Sequence, residues 1–202
     1  MKLYDLKAGL NPRRVRIFLA EKGLTIPIVQ VDMTKGENRA PEFLGLNPLG
    51  TMPVLELDDG TVLTESIAIC RYIEALHPEP NLFGQGALEQ AQIEMWNRRA
   101  EIELMRPLVD QFRHLNPFWK GRIEQIPDYG TQAQSRSRNA MAWFDRELAS
   151  RPYIAGERYT VADITAQCAL LLGKGTGLPI PDELQNLGRW WALVSARPTA
   201  RA

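Results

Sequence analysis

Residues 47–69 read Asn47-Pro48-Leu49-Gly50-Thr51-Met52-Pro53-Val54-Leu55-Glu56-Leu57-Asp58-Asp59-Gly60-Thr61-Val62-Leu63-Thr64-Glu65-Ser66-Ile67-Ala68-Ile69. Met52-Pro53 precedes a β-rich run from Val54 to Leu57, and proline fits the first position of a strand because its missing N–H removes no ladder bond there. Only an X–Pro bond takes the cis form at modest cost. With Met52–Pro53 cis, the N–H and C=O of Met52 face away from a neighbouring strand, where a bound peptide can pair with both. Asp58-Asp59-Gly60-Thr61 carries the Asp-Gly signal of a tight hairpin, returning the chain as Val62-Leu63. Thr64-Glu65-Ser66 then opens a helix whose apolar positions Ile69, Ile73 and Leu76 share a face. A serine at a helix start, with free N–H groups and the positive dipole end, is a carboxylate site. By spacing alone the stretch is equally a hairpin followed by a capped helix.

Upstream, residues 2–6 form a short strand, and Asn11-Pro12 starts a helix, with Asn11 as N-cap and Pro12 at the first helical position. Val15, Ile17, Phe18 and Leu19 give that helix its packed side, and Gly23 ends it. Residues 28–31 form the next strand. A strand, a helix and a strand in about thirty residues make a βαβ unit, so the two strands are expected to be parallel. The polar segment 34–46 is read as a loop with a short helix around 41–44, which gives the order β-α-β-α-β-β-α.

Downstream, residues 77–86 hold two prolines and two glycines, the composition of an interdomain linker. Beyond them the strand signals vanish. A helical stretch from Ala87 to about His114 contains Pro107, which predicts a break near Glu103. Ala133, Ala140, Met141, Phe144 and Leu148 mark a helix over about 132–149. Thr160-x-x-Asp163 is a capping-box-like start to a helix apolar on nearly every side, the expected buried centre of an all-helical domain. Residues 181–195 close the chain with a helix carrying Trp190, Trp191 and Val194. The expected domains are 1–78 and 87–202, with a linker over 79–86.

The 202 residues are 45% apolar, enough for proper cores, and 24 Lys plus Arg balance 24 Asp plus Glu. That neutrality steers the protein toward neither nucleic acid nor an anionic membrane, so the expected partner is small. No leader pattern and no apolar run of about 18 residues is present, which points to a cytosolic protein. Cys70 and Cys168 sit among apolar neighbours and read as buried structural thiols; two separated cysteines make neither a redox pair nor a metal site.

The ordered sequence Asn47-Pro48-x-Gly50-x-x-Pro53-Val54-Leu55, a hairpin, then Thr64-Glu65-Ser66-Ile67-Ala68-Ile69 closely resembles the glutathione-binding half of the glutathione transferase family. The resemblance implies an α/β thioredoxin-like N-terminal domain followed by an all-α C-terminal domain, with the Thr160-x-x-Asp163 element as that domain's folding cap. It implies glutathione as co-substrate, no metal, a homodimer and a small electrophilic or disulfide substrate. By the same resemblance Met52 pairs its backbone with the cysteinyl part of glutathione and Pro53 holds a cis turn. Ser66 takes the γ-glutamyl carboxylate, Glu65 faces the γ-glutamyl amine, and Asn38 lies toward the glycine end.

Such an enzyme must ionise a thiol of pKa about 8.5 near neutral pH. Lowering it by about two units takes about 2.7 kcal/mol of preferential thiolate stabilisation. The helix end at residue 11 supplies up to about 1–2 kcal/mol, and a hydrogen bond to the charged sulfur about 1.5–3 kcal/mol. Most of the family places a Tyr, Ser or Cys just after the first strand for that bond. This chain has Gly9 where a Ser or Thr is expected, and Tyr4 lies in the strand and reads as core. The remaining donor is Asn11, aligned with the Asn of the x-P-N-G-x-K-V pattern of nu-class-like bacterial members. Its amide donates to a thiolate without accepting a proton. The readings are therefore a glutathione transferase of low rate, a glutathione-dependent disulfide reductase, or a non-catalytic glutathione-binding protein. An apolar electrophile is expected between Leu10 and the long helices of the second domain, with Phe112, Phe118 and Trp119 as aromatic candidates that serve equally as core.

Overall fold

The computed structural model describes all 202 residues. The chain divides into two units, Met1–Asn81 with Arg201–Ala202, and Leu82–Ala200.

In the first unit, β1 (Lys2–Asp5), β2 (Ile28–Gln30), β3 (Val54–Glu56) and β4 (Val62–Leu63) form one sheet in the order β2-β1-β3-β4. β1 and β2 are parallel, with Leu3 opposite Ile28; β1 and β3 are antiparallel, with Leu3 opposite Leu55 and Tyr4 opposite Val54. The period of two therefore puts Leu3 and Leu55 on one face and Tyr4 and Val54 on the other. Val54 joins Val31, Phe43 and Met52 in a buried cluster against which Tyr4, Leu6, Met33, Leu46 and Val62 pack. Tyr4, partly buried, packs against this core, its ring edge-on to Phe43 at 6.0 Å and its hydroxyl donating to Glu56 at 2.8 Å.

Helix α1 (Leu10–Glu21) packs against α3 (Ser66–Leu76), and α3 against β3, while α2 (Pro41–Leu46) follows two short 3₁₀ turns. The end of α1 follows the glycine signal. Gly23 at φ 66° donates to Ala20 O and Leu24 to Leu19 O, a Schellman closure. Its start corrects the sequence reading. Gly9, in extended conformation, is the N-cap, and Leu10 and Asn11 already lie inside the helix. On α3, Ile69 and Ile73 are buried as expected, but Leu76 is exposed because the helix ends there.

The second unit holds α4 (Gly86–Arg99), α5 (Arg106–Leu115), α6 (Pro127–Glu147), α7 (Val161–Gly175) and α8 (Gln185–Ser195). The break expected from Pro107 is a π-helical stretch, Ala100–Met105, between α4 and α5. Proline cannot donate to the carbonyl four residues earlier, and widening the preceding turn accommodates it. α7 is buried along most of its length and touches α4, α5, α8 and the π-helical stretch. α6 starts earlier than the expected 132, at Pro127, and Gly130 in its first turn lets α5 approach. A Cβ there would meet Leu115 Cγ at 2.7 Å. No helix is long and apolar enough to cross a membrane.

Asp163 organises this unit. Fully buried, it accepts from Ile154 N at 2.9 Å, Trp190 Nε1 at 2.8 Å and Thr160 N at 2.9 Å, completing the expected capping box of α7. Burial pushes its carboxyl up to about 6, and the surrounding donors hold it from rising further. Cys70 and Cys168 are buried and form no disulfide.

Candidate functional site

The first unit carries all six residues singled out from the sequence. At the start of α3 the backbone of Glu65 has φ 64° and ψ 114°, the one non-glycine residue of the chain with positive φ. Such a conformation costs of order 1–3 kcal/mol and persists only where the surroundings impose it. Glu65 is exposed and makes no side-chain cap bond. The first helical bond of α3 runs from Ile69 N to Glu65 O, so the N–H groups of Ser66, Ile67 and Ala68 have no partner within the helix. They point out of the positive end of an 11-residue helix.

Ser66 itself is 5% exposed and accepts a hydrogen bond from Arg14 Nη1 at 2.7 Å. Arg14, on α1, is 1% exposed. No arginine of α1 was singled out from the sequence, although a signal for Arg14 was present. Arg14 stands three residues before Ile17 and four before Phe18, hence on the buried face. Arg13 is half-buried and donates Nε to the main-chain oxygen of Ala202 at 3.4 Å.

Met52–Pro53 is cis. Met52 sits in the apolar cluster by its side chain, while its N–H and C=O enter neither the β1–β3 ladder nor any turn bond. Two residues earlier, Gly50 at φ 63° receives Asn38 Nδ2 on its carbonyl at 2.9 Å, and a Cβ at Gly50 would meet Asn38 O at 2.8 Å. Asn38 is 4% exposed, so its amide braces the turn before Met52 from inside.

At the start of α1, Asn11 is exposed and its amide has no hydrogen-bond partner in the chain. The first helical bond runs from Arg13 N to Gly9 O, and Pro12 has no N–H, which leaves the N–H groups of Leu10 and Asn11 at the dipole's positive end. Gly9 has no room for a side chain. A Cβ would lie 2.9 Å from Pro12 Cγ and 3.0 Å from Leu6 O.

In the second unit Phe112, Phe118 and Trp119 pack on one another, with ring centroids 5.2–6.3 Å apart, and Phe118 stays exposed. A cleft of about 440 Å³, lined by Arg99, Glu103, Arg136, Asn139, Ala140 and Trp143, contains none of the residues chosen from the sequence.

A thioredoxin-like unit with a cis-proline strand start and a serine-headed helix, joined to a helical unit, defines a class, and comparison with known proteins agrees. Residues 10–76 match the family described as glutathione S-transferase, N-terminal domain, and residues 126–198 match glutathione S-transferase, C-terminal domain. The chain belongs to the glutathione S-transferase family. It is 40% identical to glutathione S-transferase 2 of Saccharomyces cerevisiae over 205 residues, covering all of this chain and 88% of that protein. The crystal structure of Gtt2 from the same yeast superposes with a TM-score of 0.94 at 40% identity, covering 100% of this chain and 99% of that one. A glutathione S-transferase domain-containing protein of Marinobacter aquaeolei VT8 is 41% identical, with a TM-score of 0.93 and coverage of 99% and 100%.

Proposed function

We propose that this protein is a glutathione transferase that keeps the thiol of bound glutathione ionised for attack on a small electrophile. The observation that carries the reading is the N-terminus of α3. Three unpaired N–H groups and a buried serine hydroxyl gather there beside an acidic residue in a strained conformation, which suits an α-amino acid end bearing both carboxylate and amine. Ser66 and the helix end take the γ-glutamyl carboxylate, and Glu65 takes the amine. The free N–H and C=O of Met52, ahead of Pro53, pair with the cysteinyl residue, and Asn38 keeps that edge in place from below.

In this reading the sulfur lies at the start of α1. The Asn11 amide donates to it, and the Leu10 and Asn11 N–H groups add the positive end of the helix. The thiol proton leaves to solvent, the thiolate attacks the electrophilic carbon, and the leaving group departs with the bonding electrons. The working form is a homodimer in the cytosol.

A second reading, glutathione-dependent disulfide reduction, is favoured by the crowding at Gly9. A hydroxyl-bearing side chain does not fit there, and attack of a thiolate on a disulfide sulfur needs no such donor. Ultraviolet titration of the glutathione-saturated protein tests the proposal. The thiolate band is expected to appear well below pH 8.5 and to move upward in Asn11→Ala; an unmoved titration removes Asn11 from the mechanism. Turnover of a mixed disulfide but not of an aryl halide selects reduction, and retention of glutathione without either turnover selects a binding role.

A further inference from the structure

Of the three arginines of α1, Arg16 is held by the Asp5 carboxylate and Lys7 O, and Arg13 by the Ala202 main-chain oxygen; Arg14 reaches the head of α3. A serine hydroxyl offers one O–H donor and two acceptor lone pairs, whereas a guanidinium offers donors only. The contact of Arg14 Nη1 with Ser66 Oγ at 2.7 Å therefore occupies a lone pair and turns the single O–H away from Arg14. No protein acceptor takes that O–H. Ser66 is the first residue of α3, so the carbonyl that a mid-helix serine uses four residues earlier is missing; Ser137 in α6 shows the usual arrangement, donating to Ala133 O at 2.9 Å. Both partners are buried, so the pair is shielded from salt and the hydroxyl is fixed before any ligand arrives.

We propose that Arg14 is a positioning residue for carboxylate recognition. It fixes Ser66 as a donor toward the ligand and so makes binding selective for a free α-carboxylate at the γ-glutamyl end. The inference rests on the reading of α3 as the γ-glutamyl site. Neither Arg14 nor its contact reaches the sulfur chemistry, so its effect falls on affinity and on ligand choice, leaving the ionisation of bound thiol alone.

The test is calorimetric titration of the full chain with glutathione and with 4-aminobutyryl-cysteinylglycine, which keeps the amine and thiol but lacks that carboxylate. The parent is expected to prefer glutathione by about 30-fold, and Arg14→Met to bring the two ligands within about threefold of one another. Arg14→Lys, which keeps the charge, recovers part of the preference. Ser66→Ala loses it, and adding Arg14→Met to Ser66→Ala loses little more, because one hydroxyl carries both effects. At saturating glutathione the thiolate titration of Arg14→Met matches the parent. Parallel weakening of both ligands, or an undiminished preference in Arg14→Met, overturns the inference while leaving the γ-glutamyl site standing. A parent with no preference overturns both. Should Arg14→Met fail to fold, Arg14→Lys and the Ser66→Ala pair decide the matter by the same ratio.

Discussion

At position 9 the chain has a glycine for a reason of space rather than of backbone freedom, since its φ of −75° suits any residue. The ring of Pro12 and the carbonyl of Leu6 close on the place where a Cβ would sit. Gly9→Ser is therefore expected to cost about 1–3 kcal/mol, read as a lower urea midpoint, and to leave thiolate formation no better. Removing the ring in Gly9→Ser/Pro12→Ala returns part of that loss; a fully stable single variant would refute the crowding argument. At Glu65 the backbone and the side chain pull apart. Glycine has no Cβ to clash at φ 64° and ψ 114°, so Glu65→Gly is expected to be more stable than Glu65→Ala by about 1 kcal/mol or more. Both variants bind glutathione more weakly in calorimetry, because both lack the acid proposed to face the amine. Equal stability of the two would mean the positive φ carries no strain.

At the level of elements, what the sequence disclosed and what it concealed separate along one line. Local rules located β1, the parallel return of β2, the hairpin, the glycine stop of α1, the break before Pro107 and the capping box of α7, because each depends on residues a few positions apart. The start of α8 did not follow from its own residues. It opens at Gln185 rather than Pro181, where Asp145 of α6 accepts from Leu187 N at 2.9 Å, a cap supplied from 42 residues away. The start of α1 was misplaced because an asparagine before a proline imitates a cap, while the tight Leu6–Gly9 turn sets the true one. Four of the six candidate site residues, Met52, Pro53, Glu65 and Ser66, were legible as residue types along one stretch, with Asn11 and Asn38 outside it. Arg14 went unmarked because a charged residue is ordinarily exposed, whereas its spacing puts it on the buried face with Phe18. The capping box gives the element-level prediction. Thr160→Ala removes the hydroxyl that accepts from Ala162 N and is expected to lower stability by about 1–2 kcal/mol in urea unfolding, with glutathione affinity unchanged. A drop in affinity would contradict a purely architectural role.

For the whole molecule, equal numbers of acidic and basic residues leave no net charge near neutral pH, and positive charge accumulates as the carboxylates protonate, so the contribution of an individual group has to be read against that background. Glu56 and Glu89 have carboxyls drawn below their usual range, Glu56 first by the Tyr4 hydroxyl and Glu89 first by the Gln85 N–H. Their contributions are present above the unfolded value and are lost as pH falls. Asp163 runs the other way. With its folded value near 6 and an unfolded value of 3.8, the native state binds the extra proton between them. Its contribution is complete below the unfolded value and declines as pH rises toward 6. The interval of about two units corresponds to roughly 3 kcal/mol. Asp163→Asn keeps the shape and removes the titration, so the stability difference between parent and variant isolates this one group from the opposing carboxylates. The parent's advantage is expected to be greatest near pH 4 and to shrink by a few kcal/mol by pH 7, measured as urea midpoints across that range. An advantage that grows with pH would show that the N–H donors of Ile154, Thr160 and Trp190 outweigh burial, and that the centre of the helical unit is held by an anion throughout.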